Sequence, residues 1–412
     1  MLQSTILNTG SSVLYFFCQW LTTVLAVRFA SFDTAGIYAL AISFTNIFYF
    51  IACFGIRSYQ ISDVDNRFSN GQYLAARLIT AAAATAGFMV TALMYQLPWY
   101  TFACYGIYMI FKLGEAYTEG FFALLQQRDD YKTLALSYSA KGILSTVAFA
   151  ASLYFTADLL TAVIWLTVAY GVCVLLLDAP KLLKLALSKP VFSGCLPILR
   201  NCVPLMLVSL STPVMNFVTR YAIEQELSNH FLGQYASISS VIVVMSTFAG
   251  AVFVVFIPRV SRWKESGQFQ MIRKFCLYAV IAMLFVGLLA VLAGFFLGPW
   301  VCSRIFGSEI LESIDLLVPM LITSTVLMIK SFWSFMLVPL EQRWKLLGGE
   351  CVGAILCSVL AIPLTKSMGM QGTNLSYLLG VLLQSIILCI CVLRYITVTN
   401  KSFTDPSAGN QN

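Results

Sequence analysis

Five charged residues stand inside apolar runs, where an isolated charge has no ready partner. Lys112, Glu115 and Glu119 lie in one run at spacings of three and four, so they share one face of a helix, with Tyr108 one turn earlier. Lys141 lies in the next run and Lys330 in a much later one, while Arg28, Arg57 and Arg220 close three others. A cation at bilayer depth either neutralises a nearby carboxylate or faces an aqueous cavity, where it binds an anion. Lys112 with Glu115 admits both readings. Lys330 has no acidic residue one turn away in its own run, which favours the cavity. Lys141 lies near the end of its run, close enough to snorkel to the interface. Arg28 and Arg220 either anchor helix ends or form a cationic wall at a cavity mouth. Arg57 either holds a phosphate or belongs to a basic loop. The single histidine, His230, and the scattered cysteines, of which Cys389 and Cys391 form only a weak C-x-C, give no metal-ligand spacing. No metal, cofactor or catalytic residue is expected.

These residues need long apolar elements to hold them. The chain is 59% hydrophobic and 10% charged, against about 25% charged in ordinary soluble domains. Runs of roughly 20 apolar residues, enough to cross a hydrocarbon core of about 30 Å, recur along the whole length. The expected spans are 5–28, 36–56, 76–97, 99–124, 134–155, 159–178, 200–222, 232–257, 275–297, 314–338, 346–365 and 373–394. The fold class is therefore an all-α integral membrane protein of about twelve transmembrane helices. The first cation, Arg28, follows the first apolar run, so that run is read as a permanent helix and not a cleaved signal.

Lysine and arginine fall unevenly on alternate breaks. One set takes most of them, from Arg57 and Arg67 through Lys181, Arg259 and Arg343 to Arg394 and Lys401. The other takes only Arg28, Arg220, Arg304 and Lys366. By the positive-inside rule the rich side is cytoplasmic, both termini are cytoplasmic and the number of spans is even. The net charge of +7 is mostly this bias and does not argue for nucleic acid.

The sequence also repeats itself. Arg28-Phe29-Ala30 resembles Arg220-Tyr221-Ala222. Gly36-Ile37-Tyr38-Ala39 matches Gly233-Gln234-Tyr235-Ala236. Gly71-Gln72-Tyr73 with Arg77 matches Gly267-Gln268-Phe269 with Arg273, and Gln127-Arg128 matches Gln342-Arg343. The shared order predicts two parallel six-helix repeats around a central cavity: residues 1–190, residues 191–398, and a disordered cytoplasmic tail at 399–412. Lys112 and Lys330 then fall at similar depths in equivalent helices. Helix seven carries Pro204 and Pro213, expected as either a hinge or a static kink.

Four blocks in order carry a family resemblance over nearly the whole chain. They are Gly55-Ile56-Arg57-Ser58-Tyr59-Gln60-Ile61-Ser62-Asp63; Val203-Pro204-Leu205-Met206 with Asn216-Phe217-Val218-Thr219-Arg220-Tyr221; Leu232-Gly233-Gln234-Tyr235 with Ile257-Pro258-Arg259-Val260-Ser261; and Ile305-Phe306-Gly307-Ser308-Glu309. The chain resembles the Wzx-type polysaccharide flippases of the multidrug/oligosaccharidyl-lipid/polysaccharide exporter superfamily. The resemblance implies movement of undecaprenyl-diphosphate-linked oligosaccharide repeat units from the inner to the outer leaflet of a bacterial cytoplasmic membrane by alternating access. The product would feed O-antigen, capsule or exopolysaccharide synthesis, with membrane lipids, a polysaccharide polymerase and glycosyltransferases as partners. It also implies a cationic cavity for the head group, served by Arg28, Arg57, Lys112, Arg220 and Lys330, with Glu115 and Glu119 beside them. In helix seven Asn-x-x-x-Arg-Tyr stands where many relatives carry Asn-x-Pro-Arg-Tyr, so Arg220 is placed by position and not by motif.

Two other functions remain open on sequence. A cation-coupled multidrug exporter of the same superfamily would use Glu115 and Glu119 for cationic substrates. A membrane-embedded polysaccharide polymerase or acyltransferase would call for a large outer loop or a paired His/Asp site, and the breaks here are short.

Overall fold

A computed structural model describes residues 2–63, 67–184, 189–240 and 256–404. The described residues are helical almost throughout, with no strand among them. The first helices are α1 (Leu2–Phe29), α2 (Phe32–Cys53), α3 (Ile56–Ser62), α4 (Asn70–Met94), α5 (Trp99–Gln127) and α6 (Tyr131–Thr156). Next come α7 (Leu159–Cys173), α8 (Ala179–Lys184), α9 (Leu196–Glu226), and α10, described over 229–240. They are followed by α11 (Ile257–Glu265), α12 (Phe269–Phe306), α13 (Leu317–Leu337) and α14 (Arg343–Thr404). The last is two helices joined at Gly369, whose φ of 60° and ψ of −143° interrupt the spiral.

Nine of these stretches are long and apolar enough to cross a membrane. The three further expected spans are each accounted for. Helix α5 carries Lys112, Glu115 and Glu119, which lower its hydropathy; α14 holds two spans in one stretch; and the span at 232–257 lies mostly outside the described residues. The chain is a multi-pass α-helical membrane protein. Helix α14 continues to Thr404, past the point where a disordered tail was expected to begin, and 405–412 lie outside the described residues.

Contacts group the chain into two compact units, Met1–Ala236 and Ser237–Asn412. Helix α9, which the repeats count in the second half, packs on α2, α3 and α4 and so lies in the first unit. There the sequence repeat acquires a physical meaning. A Cβ on Gly36 would sit 2.1 Å from the carbonyl oxygen of Asn229, and one on Gly233 would sit 1.9 Å from that of Phe32. Each glycine lies under the backbone four residues before the other, so α2 and α10 cross as a reciprocal pair that no side chain at either position fits. The caps repeat too: the Ser31 hydroxyl accepts from the Thr34 N–H and the Ser228 hydroxyl from the Phe231 N–H. At the crossing His230 Nδ1 lies 3.5 Å from Asp33 Oδ2.

The apolar core of the first unit is largely aromatic. Tyr38 stacks on Phe149 at 5.2 Å between ring centroids and meets Tyr108 edge-on at 5.6 Å. Exposed apolar side chains such as Leu78, Met89, Val90 and Leu93 on α4 form the kind of surface that lipid covers.

Candidate functional site: a buried ion-pair network

The first unit builds its charged site from α5 outward. Lys112, Glu115 and Glu119 share one face of α5, as their spacing predicts. Lys112 Nζ lies 2.6 Å from Glu115 Oε2, close but off the direction of an aligned hydrogen bond. The rings of Tyr49, Phe111 and Tyr108 lie 5.3, 5.4 and 5.6 Å from the ammonium, within cation–π range. Tyr15 of α1 donates its hydroxyl to Glu115 Oε1. Of the two readings of Lys112, the internal pair forms.

One and two turns on, Glu119 receives Arg57. Arg57 NH1 donates to both carboxylate oxygens, at 3.0 and 2.9 Å, and NH2 donates to Gln126 Oε1 at 3.2 Å. The Tyr138 hydroxyl also donates to Glu119 Oε1 at 3.1 Å, and its ring stacks on Phe122 at 4.3 Å. Arg57 reaches this place because the chain turns sharply before it. Phe54 and Gly55 adopt φ of 51° and 68°, ending α2 and starting α3. Glycine suits the second of these twice over, since its φ is positive and a Cβ there would lie 3.1 Å from Leu205 Cβ on α9. The last residue of the same block, Asp63, has a structural job. It accepts the N–H groups of Arg67 and Phe68 and the hydroxyl of Tyr73.

Lys141 does not snorkel. It is 1% exposed and pairs with Asp178, also 1% exposed, while Ser137 donates to the other carboxylate oxygen at 2.7 Å. Helix α7 widens into a π-turn over Val174–Asp178, and that turn ends on the carboxylate that meets Lys141. Asp178 is invisible to local reasoning, because it lies at the end of its span and its partner is 37 residues away.

The second unit gives Lys330 an acidic partner from another helix. Its Nζ lies 2.9 Å from Glu350 Oε2, with side-chain exposures of 7% and 3%. Ser334 donates to Glu350 Oε1 at 2.8 Å, and the Gln384 amide donates to the Glu350 carbonyl at 2.8 Å. The absence of an acid within one turn of Lys330 is real but does not leave it unpaired. The next helix in sequence supplies one.

The remaining expected residues are dispersed. Arg28 is exposed in the last turn of α1, and Arg220 is half-buried on α9, where NH1 donates to the Ala39 carbonyl at 2.8 Å. The two hold equivalent places in the repeat but different surroundings. Pro204 and Pro213 lie inside α9, which runs unbroken from Leu196 to Glu226, with no interruption at either proline. Arg77, which the sequence marks by its place in the internal repeat and not as a site residue, is buried in α4. Among the described residues no group of three His, Cys, Asp or Glu side chains could hold a metal.

The fold is shared with known transporters. The chain superposes on an inward-facing multidrug resistance MATE transporter of the MOP superfamily with a TM-score of 0.69 at 14% identity, covering 97% of this chain and 96% of that one. It superposes on a point mutant of the Vibrio cholerae MATE transporter VcmN with a TM-score of 0.65 at 13% identity, and on a MOP superfamily transporter from Pyrococcus furiosus, described as having a binding pocket of reverse polarity, with 0.65 at 12%. Each of these two alignments also covers 97% of this chain and 96% of the other. No family model matches the sequence. In sequence the chain is similar to the capsular polysaccharide biosynthesis protein CapF of Staphylococcus aureus, 22% identical over 303 residues, which is 73% of this chain and 76% of that protein. The fold is thus that of the MATE transporters of the MOP superfamily.

Proposed function

We propose that this protein is a flippase for a polyprenyl-diphosphate-linked oligosaccharide, undecaprenyl in type, and that it serves capsule or a related surface polysaccharide. It would carry the repeat unit from the inner to the outer leaflet of a bacterial cytoplasmic membrane by alternating access. The observation that carries the reading is the composition of the network. Three cations, Arg57, Lys112 and Lys141, meet three carboxylates, Glu119, Glu115 and Asp178, and a fourth cation, Arg77, is buried in the same unit without a carboxylate in hydrogen-bond reach. Each carboxylate already holds a cation, so the cluster lacks the spare acid that a cationic drug needs. The Arg57–Glu119 pair is the most accessible of the set, with side-chain exposures of 23% and 18%. A guanidinium shared with a carboxylate can exchange it for a diphosphate oxygen of similar geometry. Tyr138, half-buried beside it, shares Glu119 with Arg57 and stacks on the buried Phe122 ring. The transporter fold and the CapF likeness support the same reading.

The test is deletion in the native host followed by analysis of membrane lipids. Undecaprenyl-linked repeat units are expected to accumulate on the cytoplasmic side, with surface polysaccharide lost. Unchanged lipids with heightened drug sensitivity would instead assign the multidrug-exporter function.

A further inference from the structure

Among the described residues the Arg77 guanidinium makes no hydrogen bond and no ion pair at contact distance. Arg77 is only 7% exposed, and none of its three guanidinium nitrogens finds an acceptor there. Glu119 belongs to Arg57 and Tyr138. A buried guanidinium with no hydrogen-bond acceptor is costly, so a fold that keeps one inside has a use for it.

Arg77 lines a small recess of about 30 Å³, open to the outside, between α3, α4, α5 and α8, with its guanidinium nitrogens sealed behind the recess wall. Gln60 and Asn70 line the same recess, and the Gln60 Oε1 atom is likewise buried without a donor among the described residues. Rotating that amide would present its NH₂ group instead, so the residue can serve as a second donor. Gly120 makes the room, since a Cβ there would lie 2.9 Å from Arg77 Nε. The rim is apolar. Tyr117, 45% exposed, and the half-buried Leu124 line the recess and follow the exposed Ile110 along α5 at steps of seven residues. Arg77 lies seven residues into α4, about 10 Å from its start, and its side chain leans back toward that start. The guanidinium is therefore held near the end of the helix that adjoins the cation-rich breaks.

We propose that Arg77 is the centre of a binding site for a phosphoryl anion in this recess, with Gln60 as a second donor. The apolar rim on the α4–α5 face suits the headgroup of an anionic phospholipid whose chains lie along Tyr117 and Leu124. Inorganic phosphate offers the same anion without the chains. The site does not depend on which cargo the protein moves.

The test is thermal unfolding of the purified full chain in detergent, titrated separately with phosphatidylglycerol, phosphatidylcholine and inorganic phosphate. Phosphatidylglycerol is expected to raise the wild-type midpoint saturably and phosphatidylcholine to leave it unchanged. Arg77→Gln should weaken the response at least tenfold, and Arg77→Lys should keep part of it. Without ligand, Arg77→Gln should melt no lower than wild type, because it removes a buried charge that has no hydrogen-bond acceptor; a merely structural arginine would give the opposite result. An equal saturable response to inorganic phosphate would keep the site and assign its occupant as the soluble ion. If Arg77→Gln does not fold, Leu124→Trp, which fills the mouth and leaves the arginine, must abolish the response. A response retained by Arg77→Gln or by Leu124→Trp, or no response of the wild type to either anion, would overturn the proposal.

Discussion

At the scale of residues, the charges inside this protein are mostly pairs, and the pairs differ in what they can do. Lys141 and Asp178 are sealed from solvent, so the pair reads as structural. Removing one partner strands the other: Asp178→Ala is expected to cost about 3–5 kcal/mol, whereas Lys141→Met with Asp178→Leu together should be close to neutral or stabilising. Melting of the three proteins side by side checks this. Arg57 and Glu119 are partly open and are expected to behave differently. Glu119→Gln frees the guanidinium, so binding of a short-chain polyprenyl diphosphate should tighten several-fold, and Arg57→Ala should abolish it; titration of the purified variants measures both. Unchanged affinity in Glu119→Gln would remove Arg57 from the head-group site. For Lys330 the informative variant is the exchange Lys330→Glu with Glu350→Lys. If the pair is structural, export lost in Lys330→Glu returns in the exchange; if the lysine itself binds cargo, export stays lost although the protein folds.

At the scale of elements, helix ends and crossings matter most. Two turns are capped by aspartates outside the spans. Asp130 accepts from the Thr133 N–H at 3.1 Å and Asp158 from the Thr161 N–H at 2.8 Å. The Thr133 hydrogen bonds hold the Asp130 carboxyl below its usual value, against a smaller rise from burial. At Asp158 burial pushes upward, but hydrogen bonds from Thr161 and Tyr100 outweigh it and the net direction is down. Lowered carboxyls contribute stability that is complete above the ordinary aspartate range and is lost as pH falls through their lowered folded values. Asp158→Asn should therefore cost about 1 kcal/mol or less at neutral pH, and the difference from wild type should shrink in acid, as melting at both pH values will show. The α2–α10 crossing is more demanding. Gly36→Val or Gly233→Val drives a side chain into a backbone carbonyl, which neither rotamer change nor a flexible neighbour relieves. Either variant is expected to lower the midpoint and to abolish export, whereas Gly10→Ala, where nothing lies within 4 Å of a Cβ, should do neither.

At the scale of the molecule, the uneven loops predict how the chain sits in its membrane. All twelve cysteines are free, so a cysteine-less background can be tested for folding and used for labelling. In it, Asn70→Cys, at the cation-rich end, should be shielded from an impermeant thiol reagent in intact cells, and Gln225→Cys, in the last turn of α9 at the expected outer end, should react. The reverse pattern would invert the topology. The same bias explains how much of the architecture the sequence discloses. Apolar length, loop charge and the Gly36/Gly233 repeat are local or periodic signals that survive in one dimension, so the spans are legible without a structure, whereas the boundary of the compact units falls after α9 and not before it. Helix α5, by contrast, falls short of span hydropathy for the very reason that it carries Lys112, Glu115 and Glu119.

The sequence by itself determines that this chain lives in a bilayer, how its helices run along the chain, and that charges enter the apolar runs. Only tertiary structure decides what those charges do. Lys330 finds Glu350 on the following helix, Lys141 finds Asp178 across 37 residues of chain, and Arg57 finds Glu119 across 62. Those separations are set by packing and not by helical periodicity. The pairing also leaves Arg77, marked in sequence by the internal repeat and not as a site residue, as the buried guanidinium without an acceptor among the described residues. A charge in hydrocarbon is satisfied by whatever neighbour the fold brings within reach of its side chain, and neighbours from other helices are not written in local sequence.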